Sequence, residues 1–387
     1  MRNWIVIMLS IATLASCKIN RMTIEVSNPS DIAHENTTVE LAWADIVANL
    51  PAADPSKIVV ADAATGNELL HQIIYLGEQT PQMLIFQVTL APKESVKLFV
   101  KEGTPEQQPV SKTFGRFVPE RKDDFAWEND RVAFRMYGPA LAKENPSNGV
   151  DLWLKKTEKL IVDQFYYDDL NNKKSYHVDH GEGLDCYKVG KTLGCGGIAP
   201  FVNDKLWVGN HFVTYKALDN GPLRTTFRLT YDNLPVENDI YSKDIVISID
   251  AGSQFNKAVV SFDGNFTDIK VAAGIRLPEM FDNYTGTTVI QNHTNAGYIA
   301  LSETATSDAD VPAGSLYVAT VIPDGKMTES LTQQNHLLSI APYKKGECFT
   351  YYFGGGWSQW GFPTDKAWFD YVAAYAAKLK NPLKVEL

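Results

Sequence analysis

Leu223-Arg-Thr-Thr-Phe-Arg-Leu-Thr-Tyr231 alternates along its whole length. Leu223, Thr225, Phe227, Leu229 and Tyr231 fall on one face, and Arg224, Thr226, Arg228 and Thr230 on the other. A period of two is the repeat of a strand, and its length and arginines predict an antiparallel sheet with one buried and one solvated or ligand-facing side. Asp244–Asp250 and Lys257–Asp263 repeat the pattern on either side of Ala251-Gly252-Ser253, which reads as a hairpin. Arg131-Val-Ala-Phe-Arg-Met-Tyr137 is a further alternating run. Residues 114–387 therefore read as a large two-sheet β-sandwich. One helix stands out: Thr364 can cap it, Trp368, Val372, Tyr375 and Leu379 share a face, and Pro382 ends it. No repeat of about 20–50 residues is visible, which argues against a propeller or solenoid.

Before this region the runs are shorter. Residues 22–32, Thr38–Ala42, Lys57–Ala61, Gln82–Leu90 and Val96–Val100 are separated by turn residues such as Ala64-Thr65-Gly66-Asn67 and Pro92-Lys93. The expected fold is mainly β with few helices: a small N-terminal β-sandwich over 17–105, a polar linker over 106–113 and the large sandwich over 114–387. The chain carries 36 Lys+Arg against 46 Asp+Glu, a net charge of −10. With no basic run to neutralise phosphates, nucleic acid is not an expected partner, and nothing points to a protein partner.

The first residues read as a targeting segment. Met1-Arg2-Asn3 is positively charged, Trp4–Ile11 is apolar, and Leu14-Ala15-Ser16-Cys17 matches a lipoprotein cleavage box. Residues 1–16 are expected to be removed and Cys17 lipidated, anchoring the chain to a membrane that it does not span. Lys18 in place of an acidic residue points to the periplasmic side of an outer membrane.

The densest chemistry lies in Tyr176-His-Val-Asp-His-Gly-Glu-Gly-Leu-Asp-Cys-Tyr-Lys188. His177, His180, Tyr176, Glu182, Tyr187 and Lys188 are candidates for proton transfer, with histidine able to exchange a proton near neutrality. His177, Asp179, His180 and Glu182 could instead hold a divalent metal ion, the one cofactor the segment could accommodate. Strand geometry would place the first pair opposite the second. Cys186 and Cys195 are close enough in sequence to form a disulfide in an exported protein, leaving Cys348 as a buried thiol. Trp127 and Asn129, in Trp127-Glu-Asn-Asp130, offer an apolar face and a polar partner for a sugar ring. Trp357, in the glycine-rich Phe353–Gly361 loop, is a second aromatic wall, and Asn210-His211 is a secondary candidate.

Three segments carry a family resemblance: Glu120-Arg-Lys-Asp-Asp-Phe-Ala-Trp-Glu-Asn-Asp130, Tyr176–Tyr187 and Tyr352-Phe-Gly-Gly-Gly-Trp357. They resemble a family known as a domain of unknown function, found beside polysaccharide-degradation genes in Gram-negative bacteria, one member of which looks like an ulvan oligosaccharide dehydratase. The resemblance spans nearly the whole chain after Cys17. It implies removal of water from a non-reducing-end glucuronate or iduronate, leaving a C4=C5 double bond. The Trp-Glu-Asn-Asp segment also resembles the large sandwich, or supersandwich, of mutarotase-like and polysaccharide lyase folds.

Such an elimination needs a cation for the carboxylate, a base for the C5 proton and an acid for the departing hydroxyl. Arg116, Arg121, Arg135, Arg224 and Arg276 are the candidates for the carboxylate. The expected substrate is an acidic oligosaccharide. A polysaccharide lyase acting by β-elimination and a non-catalytic sugar-binding lipoprotein are the alternatives.

Overall fold

The computed structural model describes residues 21–106, 109–144, 149–323 and 325–387. The expected cleavage site and Cys17 lie outside these residues. The fold is mainly β. Arg21–Ser27, Ser95–Glu102, Ile58–Asp62 and Glu68–Leu69 form one sheet. His34–Ala42, Met83–Leu90 and His71–Ile74 form a second. Ile24, Val39, Leu84, Phe86 and Val100 fill the space between them. The chain's end returns to this unit: Lys384–Glu386 pairs antiparallel with Arg21–Ser27. These residues therefore belong to the small sandwich's sheet, where the sequence placed them in the large one.

The large sandwich sets an eight-stranded antiparallel sheet against two five-stranded sheets. Arg224–Val236, Asp239–Asp250 and Phe255–Asp263 lie side by side in the eight-stranded sheet. Phe227 faces Ile247, and Ile247 faces Ala258, so the hairpin has the alternation expected of it. Phe227, Leu229, Tyr231, Ile245 and Ile247 point into one continuous core with Trp127, Phe134, Ile198, Val271 and Phe353.

The two five-stranded sheets meet at an isolated bridge between Val150 and Gly194. Gly194 has φ +63°, and a β-carbon there would stand 2.0 Å from the Val150 carbonyl oxygen. A side chain would push the sheets apart, so glycine is required at this joint. The sequence segment with the densest chemistry pairs with the same strand, Val150–Lys155, through Leu184 and Leu154.

The helix Asp365–Lys380 forms as its pattern predicts. Thr364 Oγ1 accepts from the Ala367 amide at 3.2 Å. Trp368, Val372 and Ala376 pack on Phe255, Tyr317 and Ala319 of the eight-stranded sheet's outer face. Two helices were not expected, Trp43–Asn49 and Val162–Asn172. The second is too polar to show a clear stripe. It is anchored from outside its own sequence: the buried Glu128 carboxylate accepts from the Ile161 and Val162 amides at 2.9 and 2.7 Å. An acid at a helix start satisfies amides that have no partner in the helix. The same carboxylate binds the buried Lys155 ammonium at 2.6 Å. Glu128→Ala should therefore cost about 3–5 kcal/mol, because it strands a buried cation and two amides. Denaturant unfolding measures this, and a loss below about 1 kcal/mol would show the anchor to be dispensable.

Candidate active site

Residues 176–185 form a loop closed on itself. The Asp185 amide donates to the Tyr176 carbonyl at 2.8 Å, and Leu184 pairs with Leu154 of the neighbouring strand. Asp179 holds the inside of the loop by accepting from the Gly181 and Gly183 amides and from Lys156. Gly183, at φ +134°, leaves no room for a β-carbon, which would stand 2.0 Å from the Leu154 carbonyl oxygen. The loop thus presents His177 and Asp185 on one side and spends Asp179 and Glu182 on the other. Glu182 pairs with Lys159 at 2.8 Å.

On the presented side, a buried guanidinium organises the floor. Arg135 donates to Asp151 Oδ2 at 2.6 and 2.9 Å, to Asp185 Oδ2 at 2.8 Å and to the Tyr176 hydroxyl at 3.1 Å. Arg121 donates to the same hydroxyl at 3.1 Å. Burial pushes the Tyr176 phenol up, with the two arginines opposing. Burial, reinforced by the Asp151 charge and opposed by Arg135, pushes the Asp185 carboxyl up to about 7. His177 is half-buried above it. Its Nδ1 donates to the Asp185 carbonyl at 2.9 Å and lies 3.5 Å from the Asp185 carboxylate. With Nδ1 donating, Nε2 is the nitrogen that carries the lone pair of a neutral imidazole, and it makes no hydrogen bond among the described residues.

Two adjoining depressions open over this floor. One, of about 350 Å³, is lined by Arg135, Tyr137, His177, Asp185 and Lys188 among others. The other, of about 370 Å³, is lined by Arg276, Tyr284, Glu303 and Asp310 among others. Cys186, Lys188, Phe281 and Asp308 border both, making one elongated cleft. Lys188 is exposed and forms no ion pair among the described residues. Arg276 is committed: it binds Glu303 at 2.5 and 2.7 Å and the Lys188 carbonyl at 2.6 Å, and lies 4.1 Å from the Tyr187 ring centre. Burial holds the Tyr137 and Tyr187 phenols well above their usual range, hence protonated. The Tyr187 hydroxyl is buried with no hydrogen-bond partner among the described residues.

The structure thus brings together Tyr176, His177, Tyr187, Lys188, Arg121, Arg135 and Arg276 of the residues expected from sequence. The others lie elsewhere. His180 is exposed, with Nε2 bound to the Ser175 carbonyl at 3.0 Å. Trp127 is fully buried, stacked on Phe134 and bonded to Asn256, so it is core and not a sugar wall. Trp357 is likewise buried, its indole donating to the Ala313 carbonyl. Asn129 is spent within a turn, on the Asp250 and Ser253 carbonyls and the Arg131 and Val132 amides. Arg116 pairs with Glu120 and Asp163 beside the helix Val162–Asn172. Arg224 joins Asp250 to Glu40 of the small sandwich. His211 is buried against Asn210, and burial pushes its imidazole down to about 4.

The four candidate metal donors do not come together. Asp179 and Glu182 are taken by lysines, and no three His, Cys, Asp or Glu side chains converge among the described residues. Cys186 and Cys195 are separate thiols, not a disulfide: Cys195 is buried in a strand while Cys186 borders the cleft. Cys348 is exposed, not buried. Sequence reasoning missed Tyr137, Asp151, Asp185, Phe281 and Asp308 as site residues. Tyr137 ended an alternating strand, and the other four stood outside the dense motifs or, in the case of Asp185, among more conspicuous neighbours. Only the fold brings 135, 151, 185, 281 and 308 to one cleft.

The chain belongs to the family described as a domain of unknown function, DUF4861, which matches residues 26–385. It is 31% identical over 383 residues to an uncharacterised protein, P7, of Formosa agariphila, covering 94% of this chain and 93% of that one. Among solved structures, it is similar to a glycosyl hydrolase family 38 protein from Enterococcus faecalis, with a TM-score of 0.52 at 10% identity. The match covers 96% of this chain and 48% of that one, so this chain spans about half its length. That likeness is one of fold.

Proposed function

We propose that this protein is a carbohydrate-active hydro-lyase that removes water across C4 and C5 of a non-reducing-end glucuronate or iduronate in acidic oligosaccharides such as ulvan fragments. The observation that carries the reading is His177: one nitrogen is held by Asp185, the other makes no hydrogen bond among the described residues, and the same cleft is lined by Lys188, which forms no ion pair among them. In this reading Lys188 neutralises the substrate carboxylate, which makes the C5 proton removable. His177 Nε2 takes that proton. The electrons form the C4=C5 bond as the C4–O bond breaks, and the 4-hydroxyl leaves as water with a proton from Tyr137, whose phenol is protonated. Asp185 steadies the imidazolium that forms. No metal is part of the reading. The motif resemblance and the sugar-hydrolase fold of a structural neighbour support a carbohydrate substrate. Lipidation at Cys17 would hold the enzyme on the periplasmic side of the outer membrane.

Incubation with saturated, uronate-ended oligosaccharides should generate the absorbance of a conjugated double bond and lower the mass by one water. Chain cleavage with the same absorbance would identify a polysaccharide lyase instead. Cleavage with gain of water would identify a glycosidase. Binding without product would identify a sugar-binding lipoprotein.

A further inference from the structure

A larger cleft, of about 610 Å³, lies between the small sandwich, the outer face of the eight-stranded sheet and the C-terminal helix. It shares no lining residue with the His177 cleft. Its base is an aromatic corner: the Tyr375 ring stacks on Phe255 at 4.3 Å and meets Tyr352 at 5.7 Å and 71°. A ring face of this kind packs against the C–H face of a sugar.

Each tyrosine has a lysine beside it. Lys257 is the cross-strand neighbour of Tyr352, and Lys378 follows Tyr375 by three residues on the same helix face. Both lysines are half-buried and line the cleft, and neither makes an ion pair or hydrogen bond among the described residues. The other charges there are mostly committed: Arg224 binds Asp250 at 2.5 and 2.8 Å and Glu40 at 2.5 Å. Glu35, at the rim near Lys378, stands outside that network. In a chain of net charge −10, Lys257 and Lys378 place two cations beside an aromatic corner, each in the field of one carboxylate, Asp250 and Glu35 respectively, with which it forms no ion pair among the described residues.

We infer that this cleft is a second, non-catalytic binding site for an acidic saccharide, with Tyr352 and Tyr375 packing the sugar rings and Lys257 and Lys378 meeting the acidic groups. The volume suits a fragment of a few rings. Three separate parts of the chain build it: the strand His34–Ala42, the sheet and the Asp365–Lys380 helix. The site does not depend on the reaction assigned to the His177 cleft.

Lysine footprinting tests it on the full chain. The amines are acetylated with and without an excess of oligogalacturonate, or of a neutral cello-oligosaccharide of equal length, and each lysine is read by mass spectrometry. The acidic probe should slow modification of Lys257 and Lys378 at least threefold, equally in wild type and in His177→Ala, while the neutral probe leaves both unchanged. Lysines of the other cleft, Lys188 above all, report separately on the catalytic reading. Lys257→Ala/Lys378→Ala should weaken oligogalacturonate binding at this site at least tenfold. Unchanged reactivity at saturating acidic probe, or equal protection by the neutral one, would overturn the inference.

Discussion

His177→Ala should lower turnover of a uronate-ended oligosaccharide about a thousandfold while leaving the unfolding midpoint within a few degrees of wild type. A positioned general base contributes on the order of 10²–10⁴ in rate. His177 is half-exposed, its side chain's one hydrogen bond is to a backbone carbonyl, and the buried Asp185 carboxyl beside it keeps Arg135, so truncation leaves no buried group without a partner. The measurement is the initial rate of double-bond absorbance at saturating substrate. His180→Ala should keep most of the activity, because that imidazole is exposed and tied to Ser175. Prolonged chelation should leave the rate unchanged, since Asp179 and Glu182 are bound to lysines. Full activity in His177→Ala would remove the base from the mechanism. Activity lost to chelation and restored by a divalent ion would revive the metal reading.

Arg135→Ala should be the most destabilising substitution in the site, at about 3–5 kcal/mol, with the midpoint falling by on the order of 10 °C. The guanidinium is almost wholly buried and bridges Asp151, Asp185 and the Tyr176 hydroxyl. Its removal takes the cation from three buried carboxyls, those of Asp124, Asp151 and Asp185. Arg135→Lys should recover only part of the loss, because a point charge cannot span the same acceptors. The deficit should also depend on pH. Asp185 has a folded value of about 7 against about 4 in an unfolded chain, raised chiefly by burial. Between those values the folded protein holds a proton the unfolded chain has lost, so this group's contribution falls as pH rises across that window and is level above it. Without Arg135 to oppose the burial, the folded value rises further. The Arg135→Ala deficit should therefore be smaller at pH 5 than at pH 8, as measured by denaturant unfolding at both. An equal deficit would show that Asp185 does not titrate in that range.

The two readings that failed most plainly, Trp127 and Trp357 as sugar walls, share a cause. A tryptophan looks the same in sequence whether it faces solvent or core, be it beside polar groups like Trp127 or in a glycine-rich run like Trp357. Trp127 shares a face with Phe125 along Asp124–Asn129 while Ala126 faces the other way, and that strand is buried on both faces, by the sandwich on one side and the helix Val162–Asn172 on the other. The second layer was invisible because the helix is held by Glu128 from a distant strand. Asp185 was passed over for the opposite reason: beside two histidines and two tyrosines it was the least conspicuous residue, and only its burial against Arg135 marks it.

Local periodicity was enough to determine the β class, the long central hairpin and the capped C-terminal helix, because alternation and a helical stripe each arise from which side of an element must leave water. The chemical density of 176–188 was likewise legible, since composition is a local property. Which of those side chains face one another is not local. The Gly183 and Gly194 contacts with neighbouring strands turn the loop so that His177 and Asp185 meet Arg135 while Asp179 and Glu182 meet lysines. The return of Lys384–Glu386 to the first sheet likewise depends on pairing between the two ends of the chain. Tertiary structure decided these points because hydrogen bonding and burial there join residues remote in sequence, and no periodicity records such pairings.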